Sequence, residues 1–275
     1  MPTVIYFHRT ILDKDIGITI NESIYNSKLR VFQAVFHTYD TCNRFQFLHS
    51  QNRIYIFDEE YSEQVTDDNC FYHFCFTGSP NWVAYLIAFL EICYEQIMSC
   101  TIFHGTSIEY NDKSLLILGN SKAGKSTLTH YLIQNRQAYY IEDDMVYLTD
   151  GIYFGFGMPI SLRNKCENNK NLLETNLNLD KSPRYIYEIP CDKIKSYVTR
   201  IDFIIFPEYS NDSSFSSRRL TGYGLTNKIL ENVRGMSNIK LAFEEIQTLL
   251  STAQAFCLRY SSSEDAANFI DNLVL

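Results

Sequence analysis

Along the first eighty residues, apolar side chains alternate with polar ones at a period of two, and β-branched and aromatic residues are concentrated there. This pattern predicts strands at Val4–Phe7, Leu29–His37, Arg44–His49 and Arg53–Phe57. The turn cluster Thr77-Gly78-Ser79-Pro80 closes the section. From Asn81, a residue type that caps helices, the spacing becomes helical through VAYLIAFLEICYEQIMSC. That helix is apolar enough to pose the membrane question. Glu91 and Glu95 interrupt it well short of the ~20 apolar residues a span requires, so it reads as a buried core helix.

Thr101–Tyr110 and Leu115–Leu118 are strand-like, and Asn111-Asp112-Lys113 between them reads as a hairpin turn. The second strand runs directly into Gly119–Thr127 (GNSKAGKST), and a helical run follows through Leu128–Asn135. Ala138–Ile141 is the next strand and ends at Glu142-Asp143-Asp144. Met145–Leu148, a glycine-rich turn and Met158–Arg163 come after it. Asn164–Ser182, rich in Asn, Lys and Glu, reads as a mobile surface stretch. Val198–Phe206 is a further strand and Asn211–Ser217 an exposed loop. From Leu220 onward the pattern is helical, with a strand at Ala255–Tyr260 and a closing helix Ser263–Leu273 capped by Ser263. Two sections follow from this reading: a β-rich one over 1–79 and an α/β domain over 80–275.

Composition narrows the functional classes. The 275 residues are 45% hydrophobic and 20% charged, which supports a packed core rather than wholesale disorder. Asp and Glu outnumber Lys and Arg by 32 to 24, and a net charge of −8 disfavours a nucleic-acid binder. The eight cysteines form no C-x-x-C pair or His/Cys cluster, so a zinc site is not expected. The N-terminus lacks a basic-then-apolar leader pattern. A cytoplasmic chain with free thiols and no membrane partner is the economical expectation.

Gly119-x-x-x-x-Gly124-Lys125-Ser126 satisfies the phosphate-loop (Walker A) pattern in full, between an apolar strand and a helix. Glycines at both ends let the backbone curl so that Asn120, Ser121, Lys122 and Ala123 turn N–H groups toward a polyphosphate. Lys125 supplies a mobile ammonium, Ser126 a hydroxyl for Mg²⁺, and the helix its positive N-terminal end, with Thr127 in its first turn. Asp143 and Asp144 end the next strand, where a catalyst of phosphate transfer needs acidic groups. Adjacent residues on an extended chain point to opposite sides, so one carboxylate can face the metal and the other an acceptor hydroxyl. Arg163, ending GMPISLR, is a candidate for neutralising phosphate charge. No Asn-Lys-x-Asp guanine motif is present, since Ile229-Leu230 follows Asn227-Lys228.

His104-Gly105, a strand pair, GNSKAGKST, a helix and then YIEDD resemble the HPr kinase/phosphorylase family and its shorter relatives, which share a P-loop core with phosphoenolpyruvate carboxykinases. The match runs through Phe103–Leu148, and a hairpin feeding the phosphate loop is an unusual feature that both share. The resemblance implies a mixed-sheet α/β P-loop core with a β-rich N-terminal section. It also implies ATP or another nucleoside triphosphate with Mg²⁺, the sequence not deciding ATP against GTP or pyrophosphate, together with a serine-bearing peptide, protein or small-molecule acceptor, His104 near the terminal phosphate, Asp144 as base and Asp143 near the metal; an oligomer is compatible with it. Thr127 stands where the family has Glu and Lys122 where it favours Gly. The fragment Glu231–Met236 echoes a later family signature but lies far along the chain, and it reads as coincidence. The size, the divergent N-terminal part and the missing signature resemble the kinases that phosphorylate peptide precursors or free serine.

Overall fold

The computed structural model describes residues 4–11, 14–36, 40–42, 52–58, 72–76, 81–98, 100–166, 171–177, 183–212, 214–236 and 239–275. The chain divides into two compact units, 1–98 with 163–188, and 99–162 with 189–275. The boundary expected at 79/80 therefore falls inside the first unit. The strand expected at Arg44–His49 and the turn at Thr77–Pro80 lie outside the described residues.

In the first unit, β1 (Val4–Ile11) and β2 (Lys14–Asn21) pair antiparallel from Val4↔Asn21 to Ile11↔Lys14. Two helices follow, α1 (Glu22–Ser27) and α2 (Leu29–Val35). β3 (Asp40–Cys42), β4 (Asn52–Asp58) and β5 (Tyr72–Phe76) complete a five-stranded sheet in the order β3-β1-β2-β4-β5. The strand expected at Leu29–His37 is thus a helix. Its buried residues Val31, Phe32, Val35 and Phe36 recur at i, i+1, i+4 and i+5, and Phe32 stacks on Phe36 one turn later. β-branching biased the reading toward a strand, and burial of this face decided the other way.

α3 (Trp82–Met98) ends the first segment, and Tyr85 N donates to Asn81 O at its start. Trp82, Leu86, Leu90, Cys93 and Ile97 form its buried stripe. Among the described residues no helix is long and apolar enough to cross a membrane.

The second unit opens with β6 (Thr101–Phe103) and β7 (Gly105–Tyr110), which the sequence reads as one strand. They belong to different sheets, and His104 is the single residue between them. β7 turns into β8 (Lys113–Leu118) through Asn111 and Asp112, both with positive φ (50° and 58°), the requirement of a type I′ hairpin. α4 (Lys125–Arg136), β9 (Tyr139–Glu142), β10 (Val146–Thr149), β11 (Ile152–Phe154) and β12 (Ile160–Leu162) follow.

The chain then returns to the first unit with an antiparallel pair, β13 (Leu172–Leu177), inside the stretch expected to be mobile, and β14 (Pro183–Tyr187), just beyond it. Polar composition hid these strands. Arg30 on α2 donates to Leu172 O at 3.2 Å.

The second unit resumes with β15 (Tyr197–Val198), β16 (Phe203–Tyr209) and β17 (Ser216–Leu220). α5 (Gly222–Leu230), β18 (Val233–Met236), α6 (Ile239–Thr252), β19 (Gln254–Tyr260) and α7 (Ser263–Val274) close it. Ser262, not Ser263, caps α7 by accepting from Glu264 N. The main sheet runs β17-β19-β16-β8-β7-β9, with β8, β16 and β19 mutually parallel. The second sheet runs β15-β11-β10-β6-β18. Two apolar clusters pack the main sheet, one including Leu116, Leu118 and Ile204 and the other Leu115, Ile117, Leu128 and Ile205. The alternation along β8 sends successive side chains to opposite faces, as the pleat requires.

Candidate active site

In open α/β sheets, ligands gather beyond the carboxyl ends of parallel strands. β8, buried from Ser114 to Leu118, delivers Gly119–Gly124 at that end. Gly124 ends the loop at φ 103°, and a Cβ there would meet the Tyr260 hydroxyl at 2.7 Å and Tyr209 Cβ at 3.1 Å. Only glycine meets both the conformation and the space. Lys122 holds φ 73°, also in the left-handed region, which is the physical reason a glycine suits this position. α4 starts immediately afterwards with no side-chain cap, leaving its first amides for an anion.

Lys125 is 7% exposed and folds back over the loop. Its Nζ lies 2.6 Å from Gly119 O, 3.3 Å from Asn120 O and 3.0 Å from His104 Nε2, which uses all three ammonium hydrogens. Burial lowers its pKa, with Asp143 and Asp144 pulling the other way. With Nζ donating to Nε2, the His104 proton sits on Nδ1, which faces Asp144 Oδ1 at 2.9 Å. His104 N in turn donates to Asn232 O at 2.6 Å. The imidazole is therefore held by the joint between two sheets, by the loop lysine and by the acidic turn.

Asp143 and Asp144 do not continue an extended strand. Met145 N donates to Asp143 O at 3.0 Å and Asp144 has φ 71°, the signature of a γ-turn centred on Asp144. The turn sends Asp143 inward and leaves the Asp144 side chain 51% exposed. Asp143 accepts from Thr106 and hydrogen-bonds Ser126. Burial, then repulsion from Asp144, raises its pKa above the usual carboxylate range. For Asp144, burial among its neighbours pushes upward, but the His104 hydrogen bond and attraction, with Arg234 and Lys125, outweigh it and hold the group low.

Beneath the pair lies Glu142, 2% exposed. Its Oε1 accepts from Asp143 N at 2.9 Å and its Oε2 from Gly157 N at 3.0 Å and from Phe156 N. The Tyr140 hydroxyl is 3.2 Å from Oε1 and donates to Met158 O at 2.8 Å. Burial raises Glu142 to about 8. A Cβ on Gly155 would fall 2.2 Å from Glu142 Cβ, so the 155–157 segment crosses the carboxyl only because residue 155 is glycine.

Of the residues singled out by sequence, His104, Lys125, Ser126, Asp143 and Asp144 come together here. Asn120, Ser121, Lys122 and Thr127 lie exposed on and beside the loop. Arg163 belongs to the first unit. Sequence reasoning missed Glu142, Thr106, Tyr209, Tyr260 and Arg234. Arg234 Nη2 lies 3.9 Å from Asp144 Oδ1, so the Glu231–Met236 fragment, read above as coincidence, contributes a charge to the acidic turn. Pairing of β18 with β6 brings it there, across a sequence separation that no local pattern spans.

Among the described residues no group of three or more His, Cys, Asp or Glu is arranged to hold a metal. Ser126 with Asp143 forms a two-donor set. That number fits Mg²⁺, which keeps waters and takes the rest of its shell from substrate phosphates.

No family model and no curated protein matches the chain. Among solved structures it is similar to the HPr(Ser) kinase/phosphatase from Coxiella burnetii, at 12% identity and a TM-score of 0.31, over 62% of this chain and 97% of that one. The relationship is a distant structural one at most, and the functional reading stands on the side chains described above.

Proposed function

We propose that this chain is an ATP- and Mg²⁺-dependent kinase that transfers a phosphate to a serine-type hydroxyl on a peptide or protein. One juxtaposition carries the reading: the loop lysine and the exposed aspartate meet on opposite nitrogens of a single imidazole, at 3.0 and 2.9 Å. A cation for phosphate oxygens and a carboxylate for an incoming hydroxyl are the two groups that in-line phosphoryl transfer asks of a protein.

The roles divide by exposure. Asp144, open to solvent and held as the anion, orients the acceptor hydroxyl and takes its proton. Asp143, buried beside Ser126, is the residue that would hold Mg²⁺ with it. The bound cation would offset charge on the phosphate oxygens. Lys125 must exchange its two backbone carbonyls for phosphate oxygens, while Arg234 and the α4 N-terminus add positive potential. The acceptor oxygen bonds to the terminal phosphorus, the bond to the bridging oxygen breaks, and ADP leaves. Among the described residues the first unit's sheet ends on β3 and β5, and a peptide acceptor adding as a strand at such an edge is part of the same proposal.

The test is acceptor-dependent ADP release with Mg²⁺-ATP, run against a panel of serine-containing peptides and free serine, with mass spectrometry for the gain of one phosphate. Lys125→Ala is expected to abolish turnover. Slow ADP release that no acceptor accelerates would refute the kinase reading and leave a nucleotide-responsive protein.

A further inference from the structure

Among the described residues the main sheet ends on β17, whose inner side pairs with β19 from Ser216↔Arg259 to Leu220↔Ala255. Its outer side makes no backbone hydrogen bond to a described residue. Ser216, Ser217, Arg218 and Arg219 are all exposed, although successive side chains on a strand point to opposite faces. Arg218 stands opposite Cys257, on the face of the cluster with Leu116 and Leu118, and Arg219 opposite Phe256, on the face of the other cluster. Both faces are therefore open at this edge. The start of the strand is fixed, because the Phe215 ring packs on Phe269 at 5.7 Å. Neither arginine makes a hydrogen bond or ion pair with a described residue, whereas Arg30, Arg136, Arg200, Arg234 and Arg259 each meet a carboxylate. In a chain with 32 acidic residues against 24 basic ones, two neighbouring cations without a carboxylate are a conspicuous exception.

We infer that the outer edge of β17 receives an extended acidic segment of another protein, which adds to the main sheet as a further strand. The outward amides and carbonyls supply the main-chain bonds, and the two guanidinium groups supply the selection. Arg218 and Arg219 are adjacent and face opposite sides. A strand laid beside them therefore meets both only if it carries two consecutive acidic residues, which alternate in the same way. Charge on an edge also turns unspecific strands away, and the same charge admits a strand of opposite sign. A second copy of this chain is the wrong occupant, because pairing two β17 edges sets arginine against arginine, and like charges directly opposite are destabilising. The inference stands independently of the kinase reading.

Fluorescence anisotropy of the full chain with labelled peptides tests this. The probes are Thr-Val-Glu-Glu-Val-Thr, rich in strand-forming residues, and its Gln-Gln and Lys-Lys counterparts. At low ionic strength the wild-type protein is expected to bind the Glu-Glu peptide about 2- to 30-fold more tightly than the Gln-Gln one, the range for two exposed ion pairs, and the Lys-Lys one more weakly still. Added salt should shrink the difference. The double variant Arg218→Glu/Arg219→Glu, with its fold checked by circular dichroism, is expected to reverse the order and prefer the Lys-Lys peptide. Two further Glu-Glu peptides carry N-methyl groups on one or the other alternating set of amides. Only one set faces β17, so one of these peptides should bind as the parent does and the other should lose binding. A wild type that does not distinguish the Glu-Glu, Gln-Gln and Lys-Lys peptides would overturn the inference, whether or not the double variant folds. Equal binding of the two methylated peptides would overturn strand addition, and a folded double variant that keeps the wild-type order would remove the two arginines from the site.

Discussion

Replacing Glu142 by Gln probes the most deeply buried acid of the site. Its pKa is raised from 4.5 to about 8, so the folded state prefers the protonated form. Between those values the folded chain holds a proton that the unfolded chain has released. The contribution to stability is therefore complete below pH 4.5 and declines as pH rises toward 8. At about 1.4 kcal/mol per pH unit, the shift sets a ceiling of about 5 kcal/mol on that decline. Asp143 shifts in the same direction and Asp144 in the opposite one, so the wild-type profile alone does not isolate Glu142. The difference between wild type and Glu142→Gln does. The amide oxygen can still accept from Phe156 N and Gly157 N, but the NH₂ then faces the donor Asp143 N, at a cost of about 1–3 kcal/mol. Urea unfolding followed by circular dichroism from pH 5 to 8.5 should show the variant less stable at pH 5 and the gap closing or reversing by pH 8.5. Parallel stability curves across that range would refute the argument that Glu142 is buried as the acid.

Other perturbations follow from the same geometry. Gly155→Ala drives a methyl group to 2.2 Å from Glu142 Cβ and should cost at least ~2 kcal/mol in the same unfolding assay, with release of the 155–157 segment visible as faster amide exchange. Lys122→Gly removes a left-handed lysine, and the gain of about 0.5–1 kcal/mol that remains after glycine's flexibility cost should appear as a higher urea midpoint. Asp144→Asn should stop phosphate transfer while ATP affinity, measured by calorimetry, stays within a fewfold of wild type; near-normal turnover would remove Asp144 from the base role.

Local sequence determined the parts of this protein that depend on near neighbours. Asn111-Asp112 specify a tight hairpin because both tolerate positive φ, and Gly119–Ser126 specify a curled loop before a helix because glycine and a capless N-terminus suit it. The uninterrupted apolar run Leu115–Leu118 was enough to place a strand buried on both faces. Tertiary structure decided the rest. Leu29–Val35 became a helix because its apolar residues share one buried face, and Leu172–Leu177 became a strand because Pro183–Tyr187 pairs with it. His104 divides what reads as one strand because its two halves join different sheets. Arg234 and Tyr260 reach the site across more than a hundred residues of chain through sheet pairing, and Glu142 is an acid held neutral by burial that its sequence neighbours do not announce. Backbone turns are encoded within a few residues. Charge, burial and the convergence of side chains depend on the three-dimensional sum of contacts, which no local pattern contains.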